Sequence, residues 1–303
     1  MSYLDLKNIY LNYKDFSALK DINLSLNKGE YTLFLGPNGS GKSSLFSIMT
    51  SSRKPSTGEI RVEKQLMSSK NIQNYRSNIG VCFQSPSLDP LLTVEENLIC
   101  HARMFNLNKG TMQKKISELI DYFQLEAKVD QAVSKLSGGM QRKVELIKAL
   151  LPNVECLFLD EPSTGLDPSA RRDLWSFLKK IKQKGIGICM TSHIIEDIDE
   201  VDQCYFLKDG QVFLNGNPKD LIAKMGQQLL DIKSKNCEQT YTALKDIYDN
   251  KQTYIHDQSI FILNQSSQAL QQLDRLNLPD VQSISLRTTN LMDVYHYMLR
   301  DMG

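Results

Sequence analysis

An α/β fold built on a largely parallel sheet is the architecture this sequence predicts, and three observations carry the expectation. The runs Tyr31–Leu35, Ile79–Phe83, Cys156–Leu159 and Gly185–Met190 are apolar almost without a break, as strands buried on both faces are. Turn residues and then a helical pattern follow the first and third of them, the latter with Leu174, Phe177, Leu178 and Ile181 on one face. The first junction reads Gly36-Pro37-Asn38-Gly39-Ser40-Gly41-Lys42-Ser43-Ser44, the pattern G-x-x-x-x-G-K-S between a strand and a helix. At 303 residues the chain has room for such a domain and a smaller second one.

That glycine-rich junction dictates its own chemistry. Without Cβ atoms at Gly36, Gly39 and Gly41 the loop can wrap a phosphate chain and aim its N–H groups inward. The helix opening near Gly41 adds its positive dipole end to the same place. Lys42 would put its charge on the β- and γ-phosphates, and the Ser43 hydroxyl would ligate Mg²⁺.

Composition narrows the field. With 41% hydrophobic and 23% charged residues the sequence reads as an ordinary soluble globular protein, and a net charge of +1 gives no field for gripping nucleic acid. The six cysteines form no C-x-x-C pair and mostly sit in apolar runs, as free buried thiols do. No apolar run approaches the ~18 residues of a membrane span. The start, Met-Ser-Tyr-Leu-Asp-Leu, carries neither leader nor lipidation signal. The expected location is therefore cytoplasmic, with any membrane association borrowed from a partner.

In chain order, the alternating stretches Tyr3–Leu11 and Ala18–Leu26 predict paired antiparallel strands. Tyr13, between them, suits either half-buried packing or a platform on which an adenine ring stacks. Gln84 stands at the carboxyl end of its strand, where α/β sheets place ligand-binding groups. Thr93-Val-Glu-Glu96 is a capping box, and the stretch from Glu95 to Lys135 reads as mostly helical. Ser137-Gly138-Gly139 opens another helix, as a plain cap or as amide donors for an anion. Asp160 and Glu161 end a buried strand, and two adjacent carboxylates there call for a cation, which points to Mg²⁺. Asp167 and Pro168 have the types of N-cap and first helical residue. Thr191-Ser192-His193 closes a further strand, and Asp209-Gly210 turns a hairpin.

After Met225-Gly226 the rhythm changes. Strands are expected at Leu229–Ile232, Thr253–His256, Ser259–Leu263 and Val281–Leu286, with helices at Glu238–Tyr248, Ser266–Leu276 and Leu291–Met302. The order resembles a ferredoxin-like module, and no catalytic constellation lies in it. The domains expected are thus 1–225, with a helical subdomain at about 85–150, and 226–303.

From Tyr3 to Leu221 the chain resembles the ATP-binding subunit of ABC transporters. The residues carrying the resemblance are the loop Gly36–Ser43, Gln84, Leu136-Ser-Gly-Gly-Met140, Asp160-Glu161, Ser163–Asp167 and His193, in family order. Met140 departs from the usual glutamine, a change expected to affect packing more than catalysis. The implied fold is a P-loop NTPase of the ABC type, with an antiparallel β subdomain, a helical subdomain and, here, a small α+β accessory domain. The resemblance implies that Tyr13 stacks on adenine and that residues 36–44 hold the phosphates of ATP. It implies that Ser43, Gln84 and Asp160 hold Mg²⁺, that Glu161 polarises the attacking water, and that His193 contacts the γ-phosphate. Two protomers would pair head to tail, Ser137, Gly138 and Gly139 capping the nucleotide of the other, with Asp167 linking the sites.

A finer resemblance is to drug-exporter ATPases, daunorubicin-resistance-like and sodium-exporter-like. It rests on Ser87–Leu98, the Ser-Gly-Gly-Met run and the similarity of Val281–Tyr295 to that group's appended domain. A polytopic permease and a second, identical protomer are the partners implied, and nucleic acid is not. The alternative is a soluble ABC ATPase of iron–sulfur assembly, whose members usually lack a C-terminal domain.

Overall fold

The computed structural model describes residues 2–105, 108–192, 200–245, 247–248, 252–263 and 280–300, with 269, 273 and 278. Alternation in the first segment becomes an antiparallel pair, β1 (Ser2–Tyr13) and β2 (Phe16–Asn27), with Leu4 opposite Leu26 and Leu6 opposite Leu24. β4 (Thr57–Val62) joins the other edge of β1, and β5 (Gln65–Leu66) follows it, completing a four-stranded sheet.

The second sheet positions the chemistry. β3 (Tyr31–Leu35), β6 (Ile79–Cys82), β7 (Cys156–Asp160), β8 (Gly187–Ser192), β9 (Gln203–Lys208) and β10 (Gln211–Gly216) lie in the order β10-β9-β3-β8-β7-β6. From β9 to β6 every pairing is parallel, so the carboxyl ends of β3, β6, β7 and β8 share one edge. Leu35 sits opposite Ser192, and Asp160 opposite Thr191. β3 and β7 are buried along their whole length, which is why their sequences do not alternate. α1 (Lys42–Met49) contributes Leu45, Phe46, Ile48 and Met49 to the core shared by both sheets, together with Phe34 and Phe158.

The helical stretch is broken more often than its periodicity suggests. α2 (Ile72–Ser77) precedes β6; α3 (Val94–Arg103) starts on the Thr93–Glu96 capping box, and α4 (Lys109–Phe123) starts on Asn108, whose side chain accepts from the Thr111 amide at 2.8 Å. Gln124, at φ +56, stops α4, and two 3₁₀ turns, Glu126–Lys128 and Val133–Lys135, bridge to α5 (Gly138–Leu150). α6 (Pro168–Gln183) buries Leu174, Phe177, Leu178 and Ile181, as its spacing predicts. Cys82, Cys156, Cys189 and Cys204 are buried free thiols, whereas Cys100 is exposed and Cys237 half-buried.

The chain divides into two compact units, Met1–Asn215 and Gly216–Gly303, so the second begins ahead of the composition change at Met225-Gly226. It therefore includes α7 (Pro218–Met225), capped by Asn217. Its sheet, β11 (Gln228–Ser234), β12 (Thr253–His256), β13 (Ser259–Leu263) and β14 (Val281–Thr288), runs in the order β12-β13-β11-β14 with antiparallel pairings throughout. α8 (Cys237–Leu244) and α9 (Leu291–Arg300) accompany it, and Leu230, Ile232, Leu244, Ile260 and Ile262 form its core. Most of the helix expected at Ser266–Leu276 lies outside the described residues.

Candidate active site

The glycines of the loop after β3 are fixed by what surrounds them. A Cβ on Gly36 would lie 2.4 Å from the Leu207 carbonyl oxygen, and Gly41 combines φ +105 with an Ala18 carbonyl oxygen 2.9 Å from any Cβ. The loop is thus wedged between β2 and the β9–β10 turn, whose Gly210 amide donates to the Ser40 carbonyl at 3.1 Å. Gly41 is the N-cap of α1 and offers no side-chain cap, and no acidic residue occupies the first turn. Helix-terminal amides left open in this way form an anion site. The Ser40 hydroxyl is buried and finds no protein partner among the described residues.

Lys42 is buried and donates to the carbonyls of Gly36 at 2.8 Å and Pro37 at 3.1 Å. Its ammonium lies 3.6 Å from Glu161 Oε1. Burial lowers the Lys42 pKa, and the neighbouring Glu161 carboxylate opposes that shift. Asp160 is pushed the other way: burial raises its carboxyl pKa, against the pull of the Thr191 and Ser43 hydroxyls and of Lys42.

Thr191, unremarked in the sequence beyond its place at a strand end, ties the Asp160 carboxylate to the Glu161 backbone. Its hydroxyl donates to Asp160 Oδ1 and accepts from the Glu161 amide at 3.0 Å. Glu161 holds φ +43, a backbone region that β-strand continuation excludes. Its Oε2 accepts from the Thr164 hydroxyl at 3.3 Å. The neighbouring-strand register, Asp160 opposite Thr191, was the one signal that could have pointed to this threonine.

The other expected site residues among those described are mostly exposed. Gln84 is exposed just beyond β6. Tyr13 is 37% exposed at the β1–β2 turn, with the Arg53 guanidinium 4.8 Å over its ring. Ser137 is the N-cap of α5, accepting from the Met140 amide at 3.3 Å, and Ser137 and Gly138 are exposed. Exposed Asp167 caps α6 through the amides of Ser169 and Ala170, at 2.8 and 3.0 Å; the Ala170 and Ser169 amides hold its pKa down. His193 lies outside the described residues.

Among the described residues no three His, Cys, Asp or Glu side chains cluster as a self-sufficient metal cage. The donors present suit Mg²⁺ instead, which takes one or two carboxylates and completes its shell with hydroxyls, water and phosphate oxygens. Asp160 beside the Ser43 hydroxyl is such a set.

The family model described as ABC transporter matches residues 19–164. The Nod factor export ATP-binding protein I of Neorhizobium galegae is 32% identical over 296 residues, spanning 96% of this chain and 83% of the relative. The chain belongs to the ABC transporter ATP-binding family. A second protein of the same description, from Rhizobium meliloti strain 1021, is 36% identical to this ABC ATPase over 76% of the chain and 69% of the relative. Among solved structures, a dimeric bacterial ABC transporter cassette aligns with a TM-score of 0.65 and 28% identity, covering 71% of this chain and 98% of that one. A transporter cassette from Clostridium perfringens aligns with a TM-score of 0.66 and 29% identity, over 81% and 95% of the two chains. A post-hydrolysis cassette bound to ADP and Pi aligns at a TM-score of 0.64, with 28% identity over 71% of this chain and 98% of that one. This ABC ATPase is accordingly an ATP-binding subunit of a transporter, with ATP hydrolysis coupled to transport.

Proposed function

We propose that this subunit drives export, working as a head-to-tail homodimer on the cytoplasmic face of a membrane beneath a polytopic permease. The observation that carries the reading is the gathering of the phosphate loop, Asp160 and Glu161 at one edge of the parallel sheet. The export direction is supported by the relatives, described as export ATP-binding proteins, and by the C-terminal unit that an iron–sulfur assembly ATPase usually lacks. Among the described residues no helix is long and apolar enough to cross a membrane, so the translocation path is assigned to the partner.

The residues divide the chemistry in a definite way. The amides of residues 39–44 and Lys42 take the β- and γ-phosphates, and Tyr13 carries the adenine. Ser43, Gln84 and Asp160 would hold Mg²⁺, which supplies charge neutralisation between the phosphates. Glu161 accepts hydrogen bonding from the attacking water, and His193 contacts the γ-phosphate. In phosphoryl transfer such positioning and electrostatics supply nearly all of the catalysis.

Beside Gln84 a cavity of about 680 Å³ is lined by Phe83, Cys100, Met104 and Phe105, with Arg76 and Lys148 at its polar side. Nearby Leu91 and Met104 are 85% and 77% exposed. We assign this face to a cytoplasmic element of the permease, because it adjoins Gln84 and carries apolar side chains that water should not keep exposed. Affinity isolation from detergent-solubilised membranes should recover a polytopic protein. Met104→Glu with Leu91→Glu should release it while nucleotide affinity is unchanged. Recovery of soluble partners alone would overturn the export reading.

A further inference from the structure

Arg142 lies outside the family motifs, which end at Met140 and resume at Asp160, yet its guanidinium touches the backbone on both sides of Glu161. It is 8% exposed on α5, and its Nε donates to the Pro162 carbonyl at 3.1 Å. One terminal nitrogen donates to the Asp160 carbonyl at 3.2 Å, and the other to the Phe83 carbonyl at 2.7 Å. The Asp160 carbonyl belongs to the peptide whose amide is that of Glu161, and Pro162 follows directly. Phe83 immediately precedes Gln84. One planar fork therefore spans the ends of β6 and β7 at the residues next to both proposed catalytic groups.

A second grip from the same helix holds the far side of Gln84. Glu145, fully buried, accepts from the Ser87 amide at 2.7 Å, and Lys148 donates to Glu145 at 3.0 Å and to the Ser87 carbonyl at 3.2 Å. The chain around Gln84 is thus fastened to α5 at Phe83 and at Ser87. Glu161 also needs fastening, because its φ of +43 is costly for a residue with a Cβ and persists only when its surroundings enforce it. A buried guanidinium whose hydrogen-bond partners are three carbonyls is an expensive way to fill space, and a fork geometry that lysine lacks is what it offers.

We propose that Arg142 is the positioning residue of the hydrolytic site, setting Glu161 and Gln84 from the helix that Ser137-Gly138-Gly139 opens. Displacement of α5 by a second protomer at its exposed N-terminus is then passed to the proposed catalytic groups of the same chain. The inference rests on the assignment of water activation to Glu161.

The test uses full-length Arg142→Gln and Arg142→Lys proteins, alone and combined with Glu161→Gln, with kcat, KM and single-turnover rates measured. Both Arg142 variants should lose ~10-fold or more in kcat while KM stays within about 3-fold, as for a misplaced group that binds no substrate. In the Glu161→Gln background the same change should cost at least about 3-fold less than in the wild type, because one of the two residues it acts through is already gone. Full recovery of kcat by the lysine variant would overturn the proposal, since charge alone would then suffice. A fully multiplicative loss in the double variant would overturn it too. Should the glutamine variant fail to fold, the lysine variant, which keeps charge and stem, decides by the same criteria. Wild-type turnover in Glu161→Gln alone would overturn the underlying assignment instead, and the inference with it.

Discussion

Two glycine-rich turns open helices in this ATPase, one at Gly36–Lys42 and one at Ser137–Gly139. Gly36 cannot carry a side chain in its own fold, because a Cβ would stand 2.4 Å from a backbone oxygen of Leu207. At Gly138 a Cβ would meet nothing within 4 Å. The first helix has no side-chain cap and holds Lys42 buried over its opening; the second is capped by Ser137 and turned toward solvent. The small residues at the first turn answer to the chain's own packing. At the second, Ser137 caps α5 and a Cβ on Gly139 would lie 3.3 Å from that of Ala170, but Gly138 is not required by any neighbour among the described residues, which fits a surface shaped for an external nucleotide and protomer.

The largest effect that would sharpen this contrast lies at Glu161. Glu161→Gln should slow ATP turnover by at least ~10²-fold while leaving ATP binding intact, so that an ATP-bound dimer accumulates in size-exclusion chromatography. Near-wild-type turnover would break the account of the first site. The glycines come next. Gly36→Ala should destabilise the fold by ~1–3 kcal/mol or more, as overpacking against backbone does. Gly138→Ala should leave stability within ~0.5 kcal/mol, as for an open surface position, and weaken only ATP-dependent dimerisation. Chemical denaturation of the two variants side by side checks the difference, and equal destabilisation would erase it.

The smallest effect concerns Asp160. Burial raises its pKa in the folded chain, so ionised Asp160 opposes folding at pH values above its unfolded pKa, and the penalty fades as pH falls. Asp160→Asn keeps an acceptor for the Thr191 hydroxyl and removes that penalty. The melting midpoint at neutral pH should rise by ~2–4 °C for each kcal/mol relieved, while Mg²⁺-dependent turnover falls. A midpoint that drops would show the carboxylate to be stabilising where it stands.

Much of the fold was legible because burial on both faces leaves its mark on composition. Tyr31–Leu35 and Cys156–Leu159 read as interior strands and are buried residue by residue. The helical stretch was less legible: nothing in apolar periodicity announced that Gln124 would adopt a left-handed conformation and end α4. At the site, the motif residues stood out because glycine, lysine and adjacent carboxylates are unusual at strand ends. Thr191 and Arg142 did not, because their importance lies in which groups they reach outside their own strand or helix. A threonine in a strand and an arginine in a helix are ordinary until register and packing bring them to Asp160 and Glu161.

In the proposed dimer a working site joins the phosphate loop of one protomer to the Ser137 turn of another. Lys42→Ala and Ser137→Arg proteins should each hydrolyse ATP poorly alone. Mixed in equal amounts, they form heterodimers in which one site has both turns intact. Turnover should then rise to roughly a quarter of wild type, as random pairing of two-fold dimers dictates. A mixture no more active than the sum of its two components would contradict the account.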